Sequence, residues 1–558
     1  MDARLSAVEQ AQASNSESKN RGWISFSFII GAVAGCAIGG MGWISNLIVF
    51  LINEFNFKSI AAAQIFNVVN GCICLFPVIG AIIADSYLSC FSVFFIFSCF
   101  SVLGTVLLTF SVTKRQPCDM VSSFCKSPSK IQFSVLYTGI TLATIGFGCT
   151  RFILSTMGAN QFDKPKDQGT FFNWYFFTAY ASAIVSTTVI VYVQDNVSWE
   201  WGFGLCAAAI FVGLAIFLGG NFSYRRDKLQ GSPFKNIARV VTAYARKRKA
   251  SLSPQSEDYY HESDEEMKMQ AMTPTKRLRF LNRAALKTEG DIGPDGSITS
   301  PWRLCTVQHV EDFKTLIRIF PLWSTTLFLS IPIAVQSSLI VLQALTMDRH
   351  LGPHFKIPAG SVAVIVLIST SISLTIIDRF ICPMWKRLTG FSLTPLQRIG
   401  VGHVFNILSM VVSALVETKR LQIAHNHHLQ SHPGSIVPML VLWLFPQLIL
   451  VGIGEAFHFP GQVALYYQEF PASLQSTATA MVPVIIGVAY YSGSALISLL
   501  QRMTSWLPND INNGRLDNVY WLLVVLAVLN FGYYLLCAKL YKYQNLEKEI
   551  HSSVDSDN

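Results

Sequence analysis

The sequence is poor in charge. Only 13% of its 558 residues are Asp, Glu, Lys or Arg, while 51% are hydrophobic. Soluble domains carry roughly 25% charged residues, so most of this chain must face lipid or a protein interior. The sequence also lacks a Walker loop and the GxSxG and HExxH patterns, which excludes the enzyme classes that depend on them. We therefore predict neither an enzyme activity nor a cofactor.

Cysteine clusters and a secretory signal are missing as well. The 12 cysteines are scattered, mostly inside apolar runs, and none has metal-ligand spacing with histidine, so buried core positions are favoured over a metal site. Only Cys118 and Cys125 share a polar loop, where a disulfide would form if that loop is extracytoplasmic. Residues 1–22 have no basic start, apolar core or cleavage site. We expect a cytosolic tail, with the first span acting as the membrane signal.

Twelve apolar segments are long enough to cross a membrane. A helix needs about 20 apolar residues to cross the hydrocarbon core, and six candidates lie on each side of a polar insert. Their approximate bounds are 24–52, 62–84, 91–112, 132–157, 172–193, 202–222, 313–345, 357–380, 396–418, 437–462, 477–501 and 518–541. This pattern predicts an all-α membrane protein with two six-helix bundles around a central cavity.

The predicted domains follow from these segments. They are a tail (1–22), an N-terminal bundle (23–222), a linker (223–312), a C-terminal bundle (313–541) and a second tail (542–558). The linker begins with a strongly basic segment directly after the sixth span, and such segments stay cytoplasmic. We therefore expect the linker and both termini in the cytosol. Positive charge in this chain, which has a net charge of +9, is concentrated in that basic segment, which indicates contact with lipid headgroups rather than nucleic acid.

The linker carries two further features. Phe234, Ile237, Val241 and Tyr244 recur at helical spacing, which predicts a short amphipathic helix lying along the inner leaflet of the membrane. Beyond it, Ser251, Ser253 and Ser256 lie between a basic run that ends at Lys249 and an acidic segment that begins at Glu257. Their context is typical of phosphorylation sites, so a kinase is a candidate partner.

Arg151 is a cation in, or at the edge of, the fourth span, within 141-TLATIGFGCTRFILSTMGANQFD-163. A charge at that depth costs a few kcal/mol or more and usually faces a water-filled cavity or a partner. A guanidinium stays protonated and offers a planar fork of donors that suits an oxyanion. We interpret Arg151 as the main fixed charge of an anion transporter. The alternative is an arginine at a helix end whose charge reaches the membrane surface.

Six stretches, spread in order over nearly the whole chain, match a known family. They are 70-NGCICLFPVIGAIIADSYL-88, 157-MGANQFD-163, 173-NWYFF-177, 277-RLRFLNRAAL-286, 301-PWRLCTVQHVEDFKTLIRIFPLWST-325 and 451-VGIGEAFHFPGQ-462. Through them the chain resembles the plant nitrate/peptide transporter family, a branch of the proton-dependent oligopeptide transporters in the major facilitator superfamily. The resemblance implies the major facilitator fold, with alternating access between the two bundles.

The first departure from that family is the lack of acidic residues in span one. Its proton-coupled members carry a Glu-x-x-Glu-Arg/Lys motif there, and the matching positions in this chain are Val33, Cys36 and Ala37. No acidic or basic side chain occurs between Trp23 and Asn53. A coupling group must bind and release a proton, which apolar residues cannot do. We therefore expect transport without proton coupling through span one.

Two further departures concern the anion. The resemblance places the family's span-four lysine at Arg151, so the positive charge is kept in a form that suits small planar oxyanions such as nitrate. Some nitrate-transporting members have a histidine in span seven, but 321-PLWSTTLFLSIPIAVQSS-338 contains none. Gln336 is the nearest polar side chain to that position and is predicted as a second contact for the anion.

The whole pattern is most similar to the nitrate excretion subgroup. That resemblance implies that nitrate, or chloride, leaves the cytosol at the plasma membrane down its electrochemical gradient. A potential that is negative inside is worth about 2.3 kcal/mol per charge per 100 mV, which drives anions outward without a proton. One alternative is proton-coupled uptake of nitrate or of a larger organic anion, such as a glucosinolate or hormone conjugate. Another is a regulatory protein that binds nitrate without transporting it.

Three other titratable side chains are candidates for supporting roles. Glu455, in span ten, would balance Arg151 across the cavity or accept a proton, and His458, about one turn further on, would share that proton. A structural carboxylate inside the C-terminal bundle is the alternative for Glu455. Asp85, at the end of span two in a degenerate Gly-x-x-x-Asp loop motif, is predicted to cap a neighbouring helix and latch a gate.

Overall fold

The computed structural model of the protein describes residues 2–113, 128–162, 164–225, 233–253, 255, 258–261, 275, 278–288, 290–293, 298–431, 434–469 and 472–541. Within these ranges, it leaves out the side chains of residues 2–21, 85, 165–166, 233–234, 431, 467–468 and 472–480. The predicted disulfide between Cys118 and Cys125 and the predicted gate side chain of Asp85 lie outside the described residues.

Twelve helices in the described part of the chain are long and apolar enough to cross a membrane, which confirms the predicted all-α fold. Spans 1–6 contain the helices Asp2–Ser45 with Leu47–Phe55, Ser59–Ser86, Cys90–Thr113, Lys130–Thr150 with Ile153–Ala159, Pro165–Val185 with Val191–Asn196, and Trp199–Gly219. Spans 7–12 contain Val307–Leu345, Val364–Ile376 with Cys382–Thr389, Pro395–Asn426, Phe445–Glu469, Ala472–Met503, and Leu516–Leu540. Short strand pairs join Met347–Asp348 to Val437–Leu440 and His350–Leu351 to Phe355–Lys356.

Spans 4, 5 and 8 change their helical geometry part-way. In span 4 the α-helix stops at Thr150 and resumes at Ile153, with Arg151 in the intervening turn. Spans 5 and 8 each contain a π-helical turn, at Ser186–Ile190 and Ile377–Ile381. Such turns are rare and occur most often at functional sites. The irregular segments therefore mark the places where the bundles depart from simple helix packing.

Glycines allow the helices of the first six spans to approach closely. A Cβ atom on Gly35 of span 1 would lie 2.5 Å from the carbonyl oxygen of Ala209 and 2.7 Å from the Cα atom of Gly213 in span 6. A Cβ atom on Gly146 of span 4 would lie 2.4 Å from the amide nitrogen of Ser101 in span 3. Close packing of this kind associates helices in lipid, where burial from water supplies no driving force.

The chain divides into two compact units. The larger one contains Met1–Leu229, Leu327–Gln462 and Pro483–Tyr533. The smaller one contains Gln230–Thr326, Val463–Val482 and Tyr534–Asn558. The larger unit includes spans 1–6 whole and most of the later spans, whereas the linker belongs to the smaller unit.

The linker has a small hydrophobic core of its own. Its helix, Pro233–Arg246, packs on a 3-10 helix at Arg279–Ala285. Val240, Ala243 and Leu281 are almost completely buried between these elements. The linker is therefore a folded structure over its described residues rather than a plain tether.

The helix in the linker also has an apolar side that the sequence pattern did not predict. Val240 and Ala243 are buried there, whereas Val241, expected to lie against lipid, is 47% exposed. The helix is amphipathic as predicted, but its buried side contacts the linker's own apolar residues. The sequence pattern could not distinguish these two apolar surfaces, because both satisfy the same helical spacing.

A buried ion pair closes the linker core. The Nζ atom of Lys247 lies 2.6 Å from Asp291 Oδ2 and also donates to the carbonyl oxygen of Leu286 at 2.7 Å. Thr288 donates from its hydroxyl to the same carboxylate. Burial raises the pKa of Asp291, but the hydrogen bonds and charge supplied by Lys247 and Thr288 outweigh it and hold that pKa below its usual range.

We predict that Asp291→Asn loosens the linker. The substitution leaves the buried Lys247 cation without its counter-charge, a change that costs about 3–5 kcal/mol in buried pairs. Because the folded pKa of Asp291 is depressed, acid should have the same effect as the pH falls below about 4, the ordinary pKa of aspartate. Limited proteolysis at neutral pH measures the loosening. Arg303→Gln is the control, since it removes a distant contact of 3.7 Å from an exposed side chain; equal cleavage of both variants would contradict the prediction.

Candidate functional site

Arg151 lies where the helix of span 4 is interrupted. Its carbonyl oxygen accepts a hydrogen bond of 2.7 Å from the hydroxyl of Tyr175 in span 5. That bond satisfies a backbone group which the interrupted helix leaves open. The Arg151 side chain is exposed rather than packed, and its guanidinium carbon is 5.7 Å from the centre of the Phe152 ring. The break therefore presents a permanent cation on an accessible surface within the membrane-spanning part of the chain.

Side chains from three other spans lie within electrostatic range of that guanidinium. They are Cys74 in span 2, Tyr180 in span 5 and Tyr490 in span 11. Both tyrosines are half-buried. Tyr490 is also within hydrogen-bonding reach of Ser337 in span 7. Arg151 thus faces residues of both halves of the chain, and tyrosine hydroxyls can donate hydrogen bonds to an anion held there.

Glu455 faces the same two tyrosines. Tyr180 and Tyr490 both lie within electrostatic range of its carboxylate, and Thr370 of span 8 is within hydrogen-bonding reach. In the described part of the chain, Arg151 and Glu455 form no direct ion pair with each other. The two charges therefore share one set of neighbours without contact, which leaves the guanidinium donors available.

Gln336 lies in a different environment. Its side chain is buried in span 7, and its amide nitrogen donates to the hydroxyls of Ser413 at 2.8 Å and Ser409 at 3.3 Å, both in span 9. Those bonds use the amide hydrogens that were expected to hold an anion. The contacts are those of a residue that packs span 7 on span 9, and they do not bring Gln336 to Arg151.

His458 is likewise turned toward span 9. Its ring centre is 5.5 Å from that of His403, and a Cβ atom on Gly402 would lie 2.8 Å from the Cβ atom of His458. The neighbours of His458 are therefore not the tyrosines that surround Glu455. The proton exchange between Glu455 and His458 stays a prediction.

Contacts between the first and last six spans close one side of this region. Arg349 Nη1 lies 3.4 Å from Asp195 Oδ2, with both side chains mostly buried. The ring of Tyr192 stacks on Phe355 at 5.9 Å. Ser361 donates from its hydroxyl to the carbonyl oxygen of Thr187 at 2.6 Å, within the π-helical turn of span 5. These contacts involve the end of span 5, the segment after span 7 and the start of span 8.

Two further contacts join the first six spans to the last six. Asn67 of span 2 donates to Ser338 of span 7 at 3.3 Å, and the Sγ atom of Cys72 lies 2.9 Å from the hydroxyl oxygen of Tyr491 in span 11. The two halves therefore meet along spans 2, 5, 7, 8 and 11. We call this set of contacts the closed side.

We predict that Asp195→Asn weakens the closed side and speeds thiol labelling of Cys72 a few-fold. A partly buried ion pair contributes on the order of 1 kcal/mol, equivalent to roughly a fivefold change in an opening equilibrium. Mass spectrometry after a timed reaction with a maleimide measures the rate. Arg398→Gln is a matched control, because it removes a pair of the same 3.4 Å length within the last six spans. The charge-swapped double variant, Asp195→Arg with Arg349→Asp, should return the rate toward wild type.

Sequence reasoning missed Tyr180 and Tyr490. Both lie inside apolar spans, where a tyrosine is as common at the membrane surface as in a cavity. A paired Tyr490–Tyr491 in the middle of a predicted span was a weak signal that polar groups are needed there. The spatial partners of the two residues come from distant spans, and no local pattern reports that.

Comparisons with known proteins agree with this architecture. The model of the POT family matches residues 91–514. Protein NRT1/PTR FAMILY 2.7 of Arabidopsis thaliana is 54% identical over 98% of this chain and 97% of its own length, and Protein NRT1/PTR FAMILY 2.6 of the same plant is 53% identical over 97% and 96%. An auto-inhibited POT family peptide transporter has a similar structure, with a TM-score of 0.69 at 16% identity, covering 93% of this chain and 97% of that one.

The family match, the relatives and the structural likeness all lead to one assignment. The twelve spans form the major facilitator fold seen in POT transporters, which confirms the fold that the sequence resemblance implied. The relatives are aligned over almost their whole lengths, so the assignment covers the entire chain. This protein belongs to the POT family and is a multi-pass membrane transporter, not an enzyme.

Proposed function

We propose that the protein carries nitrate, and chloride in its place, out of the cytosol across the plasma membrane by alternating access. The observation that carries this proposal is the exposed Arg151 guanidinium beside Tyr180 and Tyr490. A planar cation with several N–H donors binds a small planar oxyanion in two-point fashion, and neighbouring hydroxyls add donors. Gln336 was expected to join this site, but its serine contacts support a packing role instead.

The direction of transport follows from what span 1 lacks. Val33, Cys36 and Ala37 stand where the coupling acids would be, so the anion moves with its charge uncompensated. A potential negative inside then favours export by about 2.3 kcal/mol per 100 mV. Glu455 does not neutralise Arg151 directly, and its carboxylate shares the cavity tyrosines. It would repel the anion, which favours release over retention.

The proposed topology places the linker and both termini in the cytosol. The closed side then faces outward, and the structure corresponds to a state in which the anion enters from the cytosol. The linker also suits a kinase: Ser251 is exposed and follows the exposed cations Arg248 and Lys249. A phosphate there would change the local charge by about −2.

Voltage-driven flux in proteoliposomes tests the proposal. The purified protein is reconstituted, the pH is fixed at the same value on both sides by strong buffer, and a potassium gradient with valinomycin sets the voltage. Nitrate flux should rise with voltage and reverse with its sign. Flux that appears only with a pH gradient would replace the proposal with proton-coupled uptake through Glu455 or His458. Inhibition by a glucosinolate or hormone conjugate would favour a larger anion, and nitrate binding without flux would favour a regulatory protein.

A further inference from the structure

One face of span 9 is polar and buried for most of its length. His403, Asn406, Ser409, Ser413, Glu417 and Arg420 follow one another at helical spacing, and each is at most 3% exposed. The stripe covers about 26 Å at 1.5 Å per residue, close to the roughly 30 Å of a hydrocarbon core. Polar side chains inside a membrane bundle are costly and usually functional. This stripe is distinct from the region around Arg151 and Glu455.

The second half of the stripe is satisfied by the protein itself. Arg420 donates from Nε and Nη2 to the two carboxylate oxygens of Glu417 at 2.8 and 2.7 Å. Gln343 of span 7 donates to the same carboxylate at 2.6 Å, and Tyr520 of span 12 donates to Gln343 at 2.9 Å. Ser413 receives the bond from Gln336 described above. Direct hydrogen bonds therefore fill this half.

The first half of the stripe contains buried polar atoms without such bonds. Both the oxygen and the nitrogen of the Asn406 side chain lack a hydrogen-bond partner in the structure, as do both amide atoms of Gln447 in span 10. The ring of His458, by contrast, is within hydrogen-bonding reach of the backbone of Ile399. Asn406 is 3% exposed, Gln447 0% and His458 1%. Asn406 and Gln447 are thus two buried side chains without a protein partner at the interface between spans 9 and 10.

The backbones of spans 9 and 10 approach each other closely at that interface. A Cβ atom on Gly402 would lie 2.9 Å from the carbonyl oxygen of Gly454, so the two helices touch there without side chains. His458 flanks this contact on one side. Asn406 lies on the other side, 3.3 Å from the position a Gly454 Cβ atom would take. Ser409 ties the helices together one turn further on, by donating to the backbone carbonyl of Gln447 at 2.9 Å.

We infer that the interface between spans 9 and 10 is a binding site for water, held by the side chains of Asn406 and Gln447. Buried polar groups that lack protein partners are normally satisfied by internal water, which makes about three hydrogen bonds per molecule. Amide groups supply both donors and acceptors for it.

Hydroxyl-radical footprinting of the full-length protein in lipid nanodiscs tests the inference. A microsecond X-ray pulse generates radicals from bound as well as bulk water, and mass spectrometry locates the oxidised side chains. Met410 lies one helical turn from Asn406, whereas Met157 lies in span 4; they are 0% and 2% exposed, and both pack in hydrophobic clusters. We expect Met410 to be oxidised several-fold faster than Met157. Equal, low rates at the two methionines would show a dry interface and overturn the inference.

Variants of the amide side chains provide the second measurement. Asn406→Leu and Gln447→Leu, singly and together, remove the proposed ligands while keeping a similar volume. Met410 oxidation should fall toward the Met157 rate in each variant that elutes as a folded monodisperse protein. An unchanged Met410 rate in a folded variant would show that these amides do not hold the water. The comparison of Met410 with Met157 in the wild-type protein tests the water site even if the double variant does not fold. Neither measurement depends on the identity of the transported anion.

Discussion

Arg151→Gln is expected to reduce voltage-driven nitrate flux roughly 10- to 100-fold. The substitution keeps a polar side chain, although a shorter one, and removes the charge and most of the donor fork. A hydrogen bond to a charged group contributes about 1.5–3 kcal/mol, and each 1.4 kcal/mol corresponds to about a tenfold change in affinity. The loss should appear mainly as weaker binding, because the remaining donors near the site come from tyrosines.

Two further variants make the Arg151 experiment decisive. Arg151→Lys keeps the charge without the planar fork, so it should retain part of the flux and discriminate less between nitrate and chloride. Lys130→Gln removes an exposed cation at the start of the same span and should leave flux unchanged. Wild-type flux in Arg151→Gln at matched protein density would contradict the proposed role, as would an equal loss in Lys130→Gln.

Arg420→Met should be the most destabilising single change in the C-terminal bundle. Arg420 and Glu417 are both completely buried and are joined by two short hydrogen bonds. Removal of one partner leaves an uncompensated charge, which costs about 3–5 kcal/mol. Arg420 also donates to Asn512 at 2.6 Å and Thr346 at 3.1 Å, so those contacts are lost as well. Thermal unfolding in nanodiscs, followed by tryptophan fluorescence, measures the effect.

A double variant and a control distinguish the loss of the Glu417–Arg420 ion pair from the nonspecific destabilisation that any substitution can cause. The double variant Glu417→Gln with Arg420→Met removes both charges and should recover a large part of the loss, because no buried charge remains unpaired. Arg515→Gln breaks an ion pair of 3.0 Å whose arginine is 61% exposed, and such pairs contribute at most about 1 kcal/mol. If Arg420→Met unfolded no earlier than Arg515→Gln, the pair would not have the structural role assigned to it.

Arg420 also shows where sequence reasoning reaches its limit. The hydropathy pattern ended span nine at residue 418, because Lys419 and Arg420 resemble the polar end of a span. The helix in fact continues to Asn426. Glu417, one turn before Arg420, neutralises it inside the protein, so a charge that looks like a boundary is part of the core. Ion pairs three residues apart on a helix are common on surfaces, and the sequence alone does not reveal which of them are buried.

Other features could be read directly from residue type and spacing. The twelve spans follow from long apolar runs, since nothing else accommodates such runs in a folded chain. Arg151 could be singled out because a cation at that depth is rare. Its neighbours Tyr180 and Tyr490 could not, because they are more than 300 residues apart and meet only through the arrangement of the helices. The buried face of the linker helix was not predicted for a related reason: helical spacing indicates an apolar stripe but not the surface that covers it.

The π-helical turn Ser186–Ile190 fixes more than the hydrogen bond to Ser361. A π-turn contains one residue beyond a regular turn, and an α-helix rotates about 100° per residue. The side chains after the π-turn, including Tyr192 and Asp195, are therefore rotated about the helix axis by more than a quarter turn from the positions that a regular α-helix would give them. A single-residue deletion within the turn would restore a regular helix and aim both side chains away from Phe355 and Arg349. The number of residues in this turn, and not only the chemistry of the side chains, therefore decides whether span 5 can make its contacts with Phe355 and Arg349.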